Sequence, residues 1–141
     1  MKSKYVLGHK ITAMEVSGDY DMVLGETPAK VGGPPPHNHH SLDEVFLVTE
    51  GEMEFIVNGE SKILKAGDSV DLPRGTVHTF RNNSDSKCTW VNVHSPKGFL
   101  SFFEDLGIST DEVDALERSV GQSTIDRVMK TAADYDMHIQ L

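Results

Sequence analysis

The run Met53-Glu54-Phe55-Ile56-Val57-Asn58-Gly59-Glu60-Ser61-Lys62-Ile63-Leu64-Lys65 decides the fold class of this chain. Met53, Phe55 and Val57 alternate with Glu54 and Ile56, so one face of an extended segment is apolar. Asn58-Gly59 follows, a pair that tolerates positive φ and closes two-residue hairpins, and 61–65 then reads as the return strand. Working outward, further β-rich runs separated by turn residues occupy 11–16, 20–26, 45–48, 69–72, 77–81 and 88–94. Eight or more short strands at this spacing predict an all-β antiparallel barrel of the double-sheet jelly-roll kind, over about residues 10–95.

After Pro96 the pattern changes. A short helix carrying Phe102 and Phe103 is expected over 100–106, and Ser109-Thr110-Asp111-Glu112 reads as a capping box opening a helix with Val113, Leu116 and Val120 on one face. Ser123 opens another, with Ile125, Val128, Met129 and Ala132. The 141 residues thus read as one domain, 1–141, with a helical C-terminal extension over about 96–141.

Composition narrows the function. A net charge of −9, with 25% charged and 38% hydrophobic residues, disfavours nucleic acid and anionic lipid as partners. The first residues lack the apolar run of a signal peptide, and no stretch approaches the length of a membrane span, so a cytoplasmic location is expected. Cys88 is the one cysteine, which excludes an intrachain disulfide and a cysteine-based zinc site; it reads as a packed strand residue. The amphipathic helices and the sheet edges of a small barrel predict a homodimer.

The chemistry sits in two segments. The first is Gly32-Gly33-Pro34-Pro35-Pro36-His37-Asn38-His39, followed by Glu44 and Gly51; the second is Gly67, then Pro73-Arg74-Gly75-Thr76-Val77-His78, then Asn82. Residues i and i+2 of a strand face the same way, so His37 and His39 can meet one ion, with Glu44 from the same hairpin and His78 from another. Three imidazoles and a carboxylate suit Fe, Mn, Ni, Cu or Zn and leave coordination positions open, so one divalent transition metal per chain is expected. Glu44 shares strand parity with Phe46 and Val48, which places those two beside the ion, and Phe80 shares the face of His78. His40 lies off the parity of the ligand pair and is given an outer role. For His94 pocket lining and a packed or rim position stand equally open, and His9 and His138 are assigned to the surface. Met53 and Phe55 read as core, Phe102 and Phe103 as helix packing, and Arg81 as outside the barrel. Arg74 reads as an exposed turn residue or one at the pocket mouth.

At these residues the chain resembles the cupin superfamily, whose signature segments are a His-x-His…Glu…Gly run and a Gly…Pro-x-Gly-x-x-His-x-x-x-Asn run. The leading glycine, at Gly32 or Gly33, stands closer to the histidines than is usual. The Gly-Gly-Pro-Pro-Pro opening and the tail from Ser95-Pro96-Lys97-Gly98-Phe99 are similar to small bacterial cupins grouped as quercetin 2,3-dioxygenase-like. The resemblance implies a double-stranded β-helix and a metal held by His37, His39, Glu44 and His78. It also implies a dioxygenase acting on a small aromatic or enolic substrate, in which Glu44 leaves the ion to accept the substrate proton. Cupin isomerases, decarboxylases and lyases use the same ligands, as does a non-catalytic metal-containing module that binds or senses a small molecule.

Overall fold

The computed structural model describes residues 2–140. Its strands are β1 (Lys4–Val6), β2 (His9–Ala13), β3 (Asp21–Thr27), β4 (His37–Asn38), β5 (Asp43–Glu50), β6 (Glu52–Val57), β7 (Glu60–Lys65), β8 (Ser69–Leu72), β9 (His78–Arg81), β10 (Cys88–Ser95), β11 (Ile108–Ser109) and β12 (His138–Ile139). The helices are α1 (Leu100–Leu106), α2 (Ala115–Ser119) and α3 (Gln122–Thr131), and a 3-10 turn spans Ala132–Tyr135. Two antiparallel sheets face each other, ordered β11-β1-β2-β3-β10-β5-β8 and β12-β4-β9-β6-β7. This is the expected jelly-roll sandwich with short C-terminal helices. Among the described residues no helix is long and apolar enough to cross a membrane.

The hairpin at Asn58-Gly59 forms as the sequence dictates: both residues take positive φ, 49° and 83°, and β6 pairs with β7 from Val57↔Glu60 to Glu52↔Lys65. Met53 and Phe55 point into the core and are fully buried. Phe55 packs with Phe46 and Phe80 at centroid distances of 5.0 and 5.6 Å, and Trp90 joins Phe46 at 5.3 Å. Each such ring, once buried, contributes on the order of 1.5–3 kcal/mol. Gly33 is required by a close approach, since a Cβ there would lie 1.4 Å from the Phe80 carbonyl oxygen.

The inward residues change character along each strand, and the change is in register. On β5 they run Glu44, Phe46, Val48; on β10 they run His94, Asn92, Trp90; the pairing sets Glu44 opposite His94, Phe46 opposite Asn92 and Val48 opposite Trp90. On β9 they run His78, Phe80, and His78 pairs with His37 of β4. One end of the sandwich interior is therefore polar and the rest is apolar.

Several expectations are corrected. His37 and His39 do not share a hairpin with Glu44: β4 lies in the five-stranded sheet and β5 in the seven-stranded one, because residues 40–42 cross between the sheets. His9 is not a surface residue; as the first residue of β2 it points inward and is 4% exposed. Ser109-Thr110-Asp111-Glu112 does not open a helix. Ser109 ends β11, the Asp111 amide donates to the Ser109 hydroxyl at 3.4 Å in a turn, and α2 begins only at Ala115, so Val113 is left exposed. The segment after residue 95 also adds β11 to the edge of one sheet and β12 to the edge of the other.

Candidate metal centre

His37, His39 and His78 are buried, and their ligand atoms lie within 4.8 Å of one another. Each ring is held from behind. His37 Nδ1 donates to the Pro35 carbonyl at 2.8 Å, His78 Nδ1 to the Thr76 carbonyl at 2.9 Å, and His39 Nδ1 to the Asp136 carbonyl at 2.7 Å. A carbonyl oxygen only accepts, so each Nδ1 carries the hydrogen and each neutral ring keeps its lone pair on Nε2. The fourth group arrives from the opposite sheet: Glu44 Oε2 lies 3.3 Å from His39 Nε2 and 3.1 Å from His78 Nε2. None of these three atoms has an aligned hydrogen-bond partner. Leaving a buried polar atom unsatisfied costs about 1–3 kcal/mol, so this convergence of acceptors fits a cation. The donor set suits a borderline divalent ion.

The electrostatics of the cage agree. Burial would raise the Glu44 carboxyl, but the surrounding His39, His78 and His94 rings hold it well below the usual carboxylate range. Burial would lower His78, but the Glu44 carboxylate overrides it and raises its pKa. His37 is pushed down to about 3 by burial and by the neighbouring His78 and His39. The cage thus favours a positive charge beside Glu44 and resists a second one on His37.

Glu44 is gripped at its other oxygen. Asn92 Nδ2 donates to Oε1 at 3.1 Å and to the Val45 carbonyl at 3.1 Å, and His94 Nε2 lies 3.2 Å from the same Oε1. His94 is fully buried and faces the cavity, which resolves its open reading as pocket lining. The cavity is small, with a free volume of about 60 Å³. Its wall is aromatic: Phe46, Phe80 and Trp90 from the sheets, and Phe99, Phe102 and Phe103 from the segment after β10. Buried Asp21 places Phe99 there by accepting from the Gly98 and Phe99 amides at 2.7 and 3.1 Å. Phe102 and Phe103, expected in helix packing, and Phe99, to which no role is assigned from sequence, thus line the cavity together; their place in the segment that follows the His94 strand is the available signal. His9 also lines the cavity, its Nδ1 2.8 Å from Thr27 Oγ1. His40 stays outside, exposed and stacked on His138 at 3.7 Å. Arg74 pairs with Asp43 and Arg81 with Glu54, both on the surface.

Residues 25–94 match the profile of the Cupin domain family. The chain belongs to the cupin superfamily. Its quercetin 2,3-dioxygenase relative from Bacillus subtilis is 31% identical over 85 residues, covering 57% of this chain and 25% of that enzyme. The chain spans less than half the length of the curated relatives it matches. Among solved structures, KdgF from Halomonas sp. superposes with a TM-score of 0.63 at 21% identity, covering 69% of this chain and 87% of that one. A sugar phosphate isomerase of Silicibacter pomeroyi superposes with a TM-score of 0.59 at 22% identity, covering 64% and 61%. At those identities the structures speak for the fold alone.

Within this cupin the second signature segment does structural work. Gly75, at φ 82°, donates its amide to the His39 carbonyl at 2.8 Å and so ties the two ligand segments together. Asn82 is fully buried and donates to the Thr27, Pro28 and Ser86 carbonyls. Cys88 is buried, and burial together with nearby Glu52 and Glu50 pushes its thiol up to about 11, as suits a packed and unreactive residue.

Proposed function

We propose that this cupin binds one divalent transition metal through His37, His39, His78 and Glu44 and oxygenates a small aromatic or enolic substrate. The carrying observation is the union of a four-acceptor cage with an aromatic cavity that, among the described residues, is lined by no lysine or arginine. A bound ion would supply Lewis-acid polarisation of a substrate oxygen and, for a redox-active metal, a route to dioxygen. The chain's own residues supply the rest. Phe46, Phe80, Trp90, Phe99, Phe102 and Phe103 orient a planar substrate and keep water out. Glu44, released from the ion, would accept the substrate hydroxyl proton at Oε2 while Asn92 holds Oε1. With no fixed cation to meet a phosphate dianion, an uncharged substrate is favoured over a phosphorylated sugar.

Elemental analysis of protein purified without an affinity tag, followed by oxygen uptake on phenols, enols and β-diketones with each candidate metal, tests this. About one ion per chain and oxygen consumption with one class of substrate are expected. Turnover without oxygen uptake would move the assignment to an isomerase, decarboxylase or lyase. No turnover by the loaded protein would leave a module that binds or senses a small molecule. The chain is proposed to act as a homodimer, since Leu24, Val45 and Leu47 on the outer face of the seven-stranded sheet, Val120 just after α2 and Met129 on α3 are exposed. Light scattering at micromolar concentration is expected to give twice the chain mass, and a monomer would contradict the assembly.

A further inference from the structure

Of the three imidazoles in the cage, two are oriented locally and one is not. His37 and His78 each donate to a carbonyl two residues earlier in the chain. His39 donates to Asp136, 97 residues later. Asp136 closes the 3-10 turn at φ 61°, and its amide bonds back to the Ala133 carbonyl at 3.1 Å. While its carbonyl fixes the His39 ring, its carboxylate takes the two amides that follow, His40 N on Oδ1 and Ser41 N on Oδ2, each at 2.9 Å. A single residue therefore clamps 39–41 at three points. The chain then continues as β12, which pairs His138↔Asn38 and Ile139↔His37 along β4. The Gln140 amide donates to the Pro36 carbonyl at 2.8 Å, and buried Met137 lines the cavity.

We propose that Asp136 is a positioning residue of the metal centre, and that docking of the C-terminal segment 136–140 and binding of the ion by His39 reinforce each other. The inference rests on the metal-binding reading given above. Orientation is the physical reason: the bond to the Asp136 carbonyl fixes both the tautomer and the rotation of His39, so Nε2 presents its lone pair to the cage without the cost of ordering the ring on binding. Any gain that docking gives the ion must appear equally as a gain that the ion gives docking.

The test uses the full chain and Zn(II) titrated against a competing chelator. Asp136→Gly keeps the left-handed backbone and the main-chain carbonyl but removes the carboxylate clamp. It is expected to weaken Zn(II) binding by about 10- to 100-fold, the usual range for residues that orient ligands. Asp136→Asn, which tolerates the same backbone and retains one acceptor oxygen, is expected to recover most of that loss. In the parent protein, hydrogen exchange at the His40, Ser41 and Gln140 amides is expected to slow on adding Zn(II). A purely structural role would lower the stability of Asp136→Gly and leave its Zn(II) affinity and the parent's exchange unchanged. That result overturns the coupling while the metal centre stands. Failure of the parent protein to bind Zn(II) would overturn both.

Discussion

Two groups of histidine and carboxylate stand within a few residues of each other in this chain, and only one is built to hold an ion. In the first, His37, His39, His78 and Glu44 are buried, the three rings are pinned at Nδ1, and His39 Nε2, His78 Nε2 and Glu44 Oε2 converge without aligned partners. In the second, His40, Asp136 and His138 are also close enough to hold an ion, but the carboxylate is already engaged. Asp136 accepts from two amides and from His138 Nε2 at 3.0 Å. His40 and His138 lie flat on each other, 8° from parallel, so their in-plane lone pairs do not converge. Ligand type and proximity are common to both groups. Burial with unspent, convergent acceptors separates them.

The largest expected effect comes from breaking the buried group. His78→Ala removes the ring that faces His37 across the β4–β9 pair and touches Glu44 Oε2, and it is expected to abolish stoichiometric metal binding, read by elemental analysis after reconstitution. A variant that still carried one ion per chain at parental affinity would move the site elsewhere. Next, Glu44→Gln retains size and a ligating carbonyl oxygen but removes basicity. At equal metal occupancy, turnover of an identified substrate is expected to fall about 10²-fold or more, the scale of a lost general base. Unchanged turnover would leave Glu44 as scaffold.

The buried group was legible in the sequence and its setting was not. His37, His39, Glu44 and His78 follow from strand parity and two fixed-spacing segments, both local properties of the chain. That the carboxylate comes from the opposite sheet, that Asp136 holds His39, and that Phe99 and Phe103 close the cavity depend on contacts between residues far apart in sequence. Such contacts leave no local periodicity to read. His9 was misplaced because a terminal position suggests exposure, whereas β1 and β11 extend the sheet beyond it. The capping-box pattern at Ser109 misled because the same hydroxyl-to-amide bonding serves a turn as readily as a helix.

His9 supplies the intermediate case, burial without convergence, and acidification isolates it. Burial lowers its pKa to about 4, a nearby Gly32 carbonyl only partly opposing the shift. In the unfolded chain the ring titrates near 6.5. Between those values the unfolded chain takes up a proton that the folded one refuses, so stability is lost as pH falls from 6.5 towards 4. The contribution of His9 alone reaches about 3 kcal/mol at the acid end. Urea unfolding of the metal-free protein at pH 7 and pH 4.5 is expected to show a smaller acid loss in His9→Gln than in the parent, since glutamine fills the site without titrating. Identical losses would show that His9 titrates freely and that the cage histidines carry the whole effect.

The smallest effect is expected where the second group is broken. His138→Ala removes the stacked ring and one of the three donors to Asp136, leaving the His40 and Ser41 amides on the carboxylate and the Asp136 carbonyl on His39. If the comparison is right, the parent protein binds one ion per chain rather than two, and His138→Ala binds one as well, with an affinity within about threefold, because the Asp136 contacts to His39, His40 and Ser41 remain. A second equivalent bound by the parent and lost in His138→Ala would show that the flat stacking of His40 and His138 opens to admit an ion. An engaged carboxylate would then no longer mark a group as closed to metal, and convergence of lone pairs would cease to be the deciding property.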